Sequence, residues 1–186
     1  MMYGVTTAPR RRGPAPRYSR EQLVDAAVAV VEAEGFAALS LRSVARELDV
    51  GPMTLYTYVS GSEELAGLVV DRLIEGAVRG LRMPRDWRSV LRTVARKLHE
   101  LVTAHPAMID AYGRGMVQGG ASAQVAKDVV ARLVADGLTE EQAVEAYLGV
   151  HAVVLGCAVI SAGVPGLPVP DLVDRFLDGV AASAAD

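Results

Sequence analysis

Apolar residues return every three or four positions through most of this chain, and polar or glycine-rich breaks cut the pattern into about nine helical stretches. No stretch alternates apolar and polar residues as a half-buried strand would, and no segment repeats, so an all-α fold is expected. The first stretch runs from about Arg20 to Glu34 and places Leu23, Ala26, Ala27, Val30 and Val31 on one stripe. Ser19 and Gln22 form a capping box at its start, and Gly35 closes it as Phe36 turns back toward the core. A fourth stretch opens near Ser60 to Ser62, with Ser60 and Glu63 as a second capping box, and continues to about Arg82. Further helices are expected at about 86–104, 106–118, 121–136, 139–162 and 170–183, separated by His105-Pro106, Gly119-Gly120, Gly137 and the segment from Gly163 to Pro170.

Between the first and fourth stretches lies the tract S-L-R-S-V-A-R-E-L-D-V-G-P-M-T-L-Y-T-Y-V-S-G-S-E-E-L, Ser40 to Leu65. Ser40 is an N-cap, and Leu41, Val44, Ala45 and Leu48 share one helical face. Asp49-Val50-Gly51 has room only for a turn, with Val50 as its apolar plug, and Pro52 suits the first position of the next helix. That helix, Pro52 to about Val59, is two turns long, and such a helix is marginal unless neighbours hold it. Two short helices across a tight turn make a helix-turn-helix, which presents its second helix to the DNA major groove. Gly51, at the N-cap, leaves backbone N–H groups for a phosphate. Met53 and Thr54 reach base edges, Thr57 and Tyr58 reach phosphates, and Tyr56 divides its ring between packing and a phosphate. The helix carries no Arg or Lys, so Arg42 on the preceding helix is the candidate for a bidentate guanine contact, with phosphate holding as the plainer alternative.

Charge changes this picture through its distribution. Net charge is −3, yet residues 1–20 hold five arginines and no acid, which leaves −8 on the remainder. A Gly/Pro/Arg-rich arm, residues 1–17, is expected to be disordered without DNA; it is either a solvated tail or an arm whose arginines reach phosphates or an adjacent minor groove. A single cysteine excludes an internal disulfide and a cysteine-based metal site, which fits a reducing cytoplasm. No apolar h-region of a signal peptide stands at the N-terminus. Alanine, valine and arginine dominate while lysine occurs only at Lys97 and Lys127, a composition expected of a high-GC bacterial source.

The 26 residues from Ser40 to Leu65 resemble the TetR family of transcriptional regulators without a gap. The family pattern runs roughly T-x-x-x-I-A-x-x-A-G-V-S-x-x-x-L-Y-x-H-F-x-x-K-E-x-L. It is matched here by Ser40, Val44, Ala45, Val50, Leu55, Tyr56, Tyr58, Val59, Glu63 and Leu65. Pro52-Met53-Thr54-Leu55-Tyr56 looks closest to the tetracycline-repressor branch, in which an arginine matching Arg42 reads guanine. Two departures from the pattern matter. Ser62 replaces the family's lysine at the start of the fourth helix, making a phosphate contact there neutral, and Leu48-Asp49 replaces its small pair, bringing an acid toward the DNA side. The resemblance implies a DNA-binding domain at residues 18–65 and, at 66–186, a body that dimerises and binds a small inducer.

Ala146 to Val164 is the most apolar stretch, and its 19 residues approach membrane-spanning length. It holds His151 and three glycines and lacks basic flanks, so it is expected to be a soluble helix buried on all sides, with no membrane partner. Paired with the last helix across a two-fold axis it would form a four-helix homodimer interface, as the family's last two helices do. Candidate ligand contacts are the polar or soft side chains on otherwise apolar faces: Trp87, His99, His105, Met108, Tyr112, Met116, Tyr147 and His151. Walls of Val, Ala and Leu imply a largely apolar ligand. The histidines are not at metal-ligand spacing, no cofactor motif is present, and His151 and Cys157 point to different faces of one helix, so neither a metal site nor an enzyme is expected. The expected protein is a cytoplasmic homodimeric repressor that binds an inverted-repeat operator in double-stranded DNA and is released by an apolar effector. A DNA-binding dimer governed by a protein partner or by no effector, and a ligand carrier with a degenerate head, remain the alternatives.

Overall fold

The computed structural model describes residues 18–117, 119–161 and 166–183, and these are helical throughout, with no strand among them. The arginine-rich arm, residues 1–17, lies outside the described residues. Among the described residues nine α-helices follow in order: α1 (Arg20–Glu34), α2 (Leu41–Glu47), α3 (Pro52–Leu55), α4 (Ser62–Val78), α5 (Trp87–Ala104), α6 (Ala107–Gly113), α7 (Gly120–Ala135), α8 (Glu140–Ser161) and α9 (Val169–Ser183). A 3₁₀ turn, Phe36–Ala38, links α1 to α2.

The head elements end where their side chains can satisfy the free N–H groups of a helix start. Ser19 accepts from the Gln22 N–H at 3.1 Å while the Ser19 N–H donates to Gln22 Oε1 at 2.8 Å. Ser40 and Ser43 make the same reciprocal pair on α2. Gly35 adopts φ +80, a conformation a side chain would strain, and its N–H closes α1 on the Val31 carbonyl. Asp49 also has a positive φ, +52, which the short polar side chain of aspartate tolerates in a tight turn. Val50 is half-buried there, its N–H bonded to the Ala45 carbonyl.

Three elements are shorter or capped differently than the pattern implies. The α-helical part of α3 ends at Leu55 rather than Val59; Thr57 and Tyr58 continue as tighter turns through N–H bonds to the Thr54 and Leu55 carbonyls. Glu64, not Glu63, closes the start of α4: the Ser60 N–H and hydroxyl donate to Glu64 Oε2 at 2.7 and 2.8 Å. α6 stops at Gly113 instead of 118 because Gly115, at φ +68, turns the chain away, which leaves Met116 off the helix.

α4 joins the two parts. It packs on α1 in the head and on α5 and α7 in the body, and the expected boundary between residues 65 and 66 lies inside its span. Leu65 and Val69 are fully buried, and Arg72 donates to Asp25 of α1 at 2.6 Å. On the body side, Asp71 accepts the Ala121 N–H at 2.8 Å, so an α4 carboxylate caps α7, whose own N-cap, Gly119, has no side chain. Gly120 allows this contact: its φ is +50, and a Cβ there would run into the Asp71 carboxylate.

α8 packs against α5, α7 and α9. It is long and apolar enough to cross a membrane by length and composition, but only 28% of its most apolar window is buried within the chain. Burial on all sides is therefore not achieved inside one chain: Ala143, Ala146, Val150, Val154 and Cys157 face inward, while Val144, Leu148, Val159 and Ile160 are exposed. The contacts with α5, α7 and α9 cover only the inward stripe of a helix that is apolar on every face.

Candidate nucleic-acid interface and ligand cavity

α3 is held by one fully buried side chain, Leu55, and turns the rest of its surface outward. Gly51, Pro52, Met53, Thr54, Tyr56 and Thr57 are exposed, Met53 at 77% and Tyr56 at 54%. Two large apolar groups so exposed on four residues need a reason, and a surface that meets a partner supplies one. Gly51 is the N-cap, and no side chain bonds to that end of the helix. Arg42 is exposed on α2, which packs against α3, and Ser62 is exposed at the start of α4. Of the three arginines in the described head, Arg20 pairs with Glu64 and Arg46 with Glu34, whereas Arg42 has no acidic partner among the described residues. Hydrogen bonds from Ser60, and Arg20 beside it, hold the Glu64 carboxyl below its ordinary range.

Two expected phosphate contacts have hydroxyls already engaged. Thr57 donates to the Thr54 carbonyl at 2.7 Å, and half-buried Tyr58 donates to the Tyr18 carbonyl at 2.7 Å. Tyr18 in turn donates to the Leu48 carbonyl at 2.8 Å. This chain of bonds ties the residue that leads out of the arm to the end of α2 and to the turn after α3. Both tyrosines are visible in the sequence, but their 40-residue separation gives no sign of the bond.

In the body, a half-open cavity of about 490 Å3 lies among α4, α5, α7 and α8. Its walls are mostly aliphatic: Ile74, Ala77 and Val78 from α4, Val94, Leu98 and Leu101 from α5, Ala123, Val125 and Ala126 from α7, and Leu148 from α8. Tyr112, Tyr147 and His151, three of the expected ligand residues, line it together. The His151 ring lies 4.3 Å from that of Tyr147 and 6.2 Å from that of Tyr112, centroid to centroid. His151 Nδ1 is 2.9 Å from the Tyr147 carbonyl, so Nδ1 carries the hydrogen and Nε2 is left as an acceptor. Burial pushes the imidazole pKa below its ordinary value, with the backbone bond to Tyr147 opposing it. Burial likewise raises both phenols, Tyr112 most, helped by Tyr147. All three groups are neutral at physiological pH, and neither phenol has a partner among the described residues.

The remaining expected ligand residues lie elsewhere. Met108 is fully buried core. Trp87 is half-buried at the start of α5, where its backbone N–H donates to Asp136 and Arg88 lies 5.1 Å over its ring. His105 belongs to the contact with the head, its Nδ1 3.0 Å from Glu32 Oε1 without hydrogen-bond alignment. His99 borders a separate cavity of about 300 Å3 against α9, and Met116 a recess beside α4. Each was singled out for softness or polarity, whereas the cavity is framed by small and aliphatic side chains that look like ordinary core. Lys97, which also lines it, was missed; a lysine on the stripe of Val94, Leu98 and Leu101 was the available signal. No group of His, Cys, Asp and Glu able to hold a metal ion occurs among the described residues.

Two family models match this chain. "Bacterial regulatory proteins, tetR family" covers residues 23–67, and "Tetracyclin repressor-like, C-terminal domain" covers residues 82–165. A curated relative, the HTH-type transcriptional repressor DrrR1 of Streptomyces coeruleorubidus, is 34% identical over 152 residues, which are 79% of this chain. The chain spans 55% of that relative's length, and 62% of the length of the HTH-type transcriptional repressors it matches in Mycobacterium tuberculosis. Among solved structures, BioQ in complex with its double-stranded DNA operator superposes with a TM-score of 0.72 at 24% identity, covering 89% of this chain and 99% of that one. A TetR variant of Acinetobacter baumannii in complex with minocycline does so with a TM-score of 0.69 at 19% identity, covering 91% and 96%. At these identities the structural likeness establishes the fold.

Proposed function

The chain belongs to the tetR family of bacterial regulatory proteins, and from that premise we propose a cytoplasmic, homodimeric transcriptional repressor that binds an inverted-repeat operator and is released by a small, largely apolar effector. It is a regulator and not an enzyme. The observation that carries this reading is the double membership of α4. It is fastened to the head through Arg20–Glu64 and Arg72–Asp25, and Ile74, Ala77 and Val78 of its last two turns form a cavity wall. An occupant that displaces this wall tilts the head with it. In a dimer the tilt changes the distance between two α3 helices, and only one distance fits successive major grooves.

The same reading assigns base contacts to Arg42, Met53 and Thr54, and phosphate contacts to Gly51, Tyr56 and Ser62, with Pro52 beside them on the DNA face; a phosphate contact by Thr57 requires its hydroxyl to leave the Thr54 carbonyl. Tyr58 orients the arm through Tyr18. The arm, residues 1–17, adds phosphate contacts of its own. Homodimerisation through α8 and α9 is supported by the apolar side chains that α8 leaves exposed, since a second copy would cover them. That role accounts for the hydropathy of α8 without a membrane.

Selection of binding sites from random duplex DNA, with the full chain at fixed salt, tests the proposal. An enriched inverted repeat with half-sites about one helical turn apart supports the dimeric regulator. No enrichment from a folded dimer would overturn it in favour of a ligand carrier, the reading to which Asp49 and Ser62 lend support.

A further inference from the structure

Among the described residues that line the cavity assigned to the effector, Lys97 is the one lysine, and arginine and carboxylate side chains are absent; the others are apolar or neutral. Cavities for wholly apolar guests gain nothing from an ammonium, whose desolvation is costly unless it acquires a partner. The chain also uses lysine sparingly, at two positions only, and one of them is here. The surroundings make this lysine available. Lys97 Nζ lies 2.9 Å from Glu100 Oε2, and Arg96 Nη1 lies 2.8 Å from Oε1 of the same carboxylate. One carboxylate thus serves two cations and leaves a net positive charge beside the cavity. If Lys97 turns to another anion, Glu100 keeps Arg96, so the exchange strands no charge. The same cavity also holds the two unpartnered phenols of Tyr112 and Tyr147, which can donate to a ligand oxygen.

We propose that the effector is an amphipathic organic anion, with an apolar body filling the aliphatic cavity and a carboxylate- or sulfonate-type group held by Lys97. This rests on the reading of the cavity as the effector site. The test is fluorescence titration of the full-length protein with two probes sharing one ring system. These are 8-anilino-1-naphthalenesulfonate, an anion, and N-phenyl-1-naphthylamine, its neutral parent. Lys97→Met is expected to weaken the anion about tenfold, the scale of one hydrogen bond to a charged group, and to leave the neutral probe unchanged; Lys97→Arg restores the anion. Ala126→Phe, which fills the cavity from α7, is expected to expel both probes, and Ala123→Phe repeats that test one turn away. Loss of both probes to the same extent in Lys97→Met, or no loss of the anion, overturns the proposal while leaving the cavity as an effector site. Retention of both probes in the cavity-filled variants would sink the effector site itself.

Discussion

The short helices of the head and the cavity of the body use polar side chains in opposite ways. In the head they close on the protein: Ser19 on Gln22, Ser40 on Ser43, Ser60 on Glu64, Tyr58 on Tyr18 and Tyr18 on Leu48. In the body, Tyr112, Tyr147 and His151 border a void. Length explains the contrast. α2 and α3 have seven and four residues, too few to be stable without caps and tertiary anchors, whereas the body helices that frame the cavity run from 16 to 22 residues and can leave space between them. A part that must present one rigid surface cannot spare its hydrogen bonds. A part that must accept a guest cannot spend all of them.

The sharpest way to break that comparison is Leu55→Ala. Leu55 is the single buried residue of α3, 1% exposed, and its truncation should destabilise the head by about 2–5 kcal/mol. Hydrogen exchange should show α2 and α3 opening while α8 amides stay protected. If α8 loses protection equally, head and body unfold as one unit and their independence is refuted. Gly149→Ala probes the body where α8 meets α9. A Cβ at Gly149 would meet the Phe176 ring, so α8 and α9 must part or the ring must leave, at a cost of about 1–3 kcal/mol. Denaturant unfolding measures that cost, and sedimentation should show weaker dimers if α8 and α9 form the interface. Wild-type stability and assembly would mean that the ring swings aside freely.

How much could be read beforehand divides along the same line. Caps act over three or four residues, so Ser19, Gln22, Gly35 and Ser40 could be assigned from spacing alone. The Glu63 assignment failed by one position, because Ser60 sits one residue before the N-cap and reaches Glu64 instead. The cavity was not legible, because it is defined by volume that is missing between distant segments. Ala77, Ala123 and Ala126 leave room that larger residues would fill, and nothing in a periodic pattern separates that from ordinary packing. Tyr112, Tyr147 and His151 could be named because polar or soft side chains on otherwise apolar faces are uncommon. Met108 and His105 satisfied the same criterion and serve the core and the head contact. The all-round apolarity of α8 was plain, but which of its faces a single chain covers was not.

Arg42→Ala tests the exposed side of the head. Its guanidinium has no acidic partner among the described residues, so its removal should leave folding unchanged and cost about 1–3 kcal/mol at the operator. The loss should concentrate at one base pair when variant operators are compared by equilibrium binding. An equal loss on every sequence would make Arg42 a phosphate contact, and the bases would then be read by Met53 and Thr54 alone.

The smallest expected effect comes from His151 and separates the two regions by pH. Burial holds its folded-state pKa below the ordinary imidazole value of 6.5. Well above 6.5 the ring is neutral in the folded and unfolded chains alike, and it adds no pH dependence. As pH falls below 6.5 the unfolded chain takes up a proton before the folded one, so stability declines until the folded-state pKa is passed. In the head, Glu64 is held below the ordinary carboxylate range and keeps its charge through that window. Urea midpoints measured at about pH 7.5 and about pH 5.5 should therefore fall for the parent protein and fall less for His151→Gln, with the difference confined to the body. Equal falls would show that the His151 ring is solvated in both states and that its cavity edge is wet. The neutral acceptor at Nε2 would then cease to be a feature that an effector could recognise.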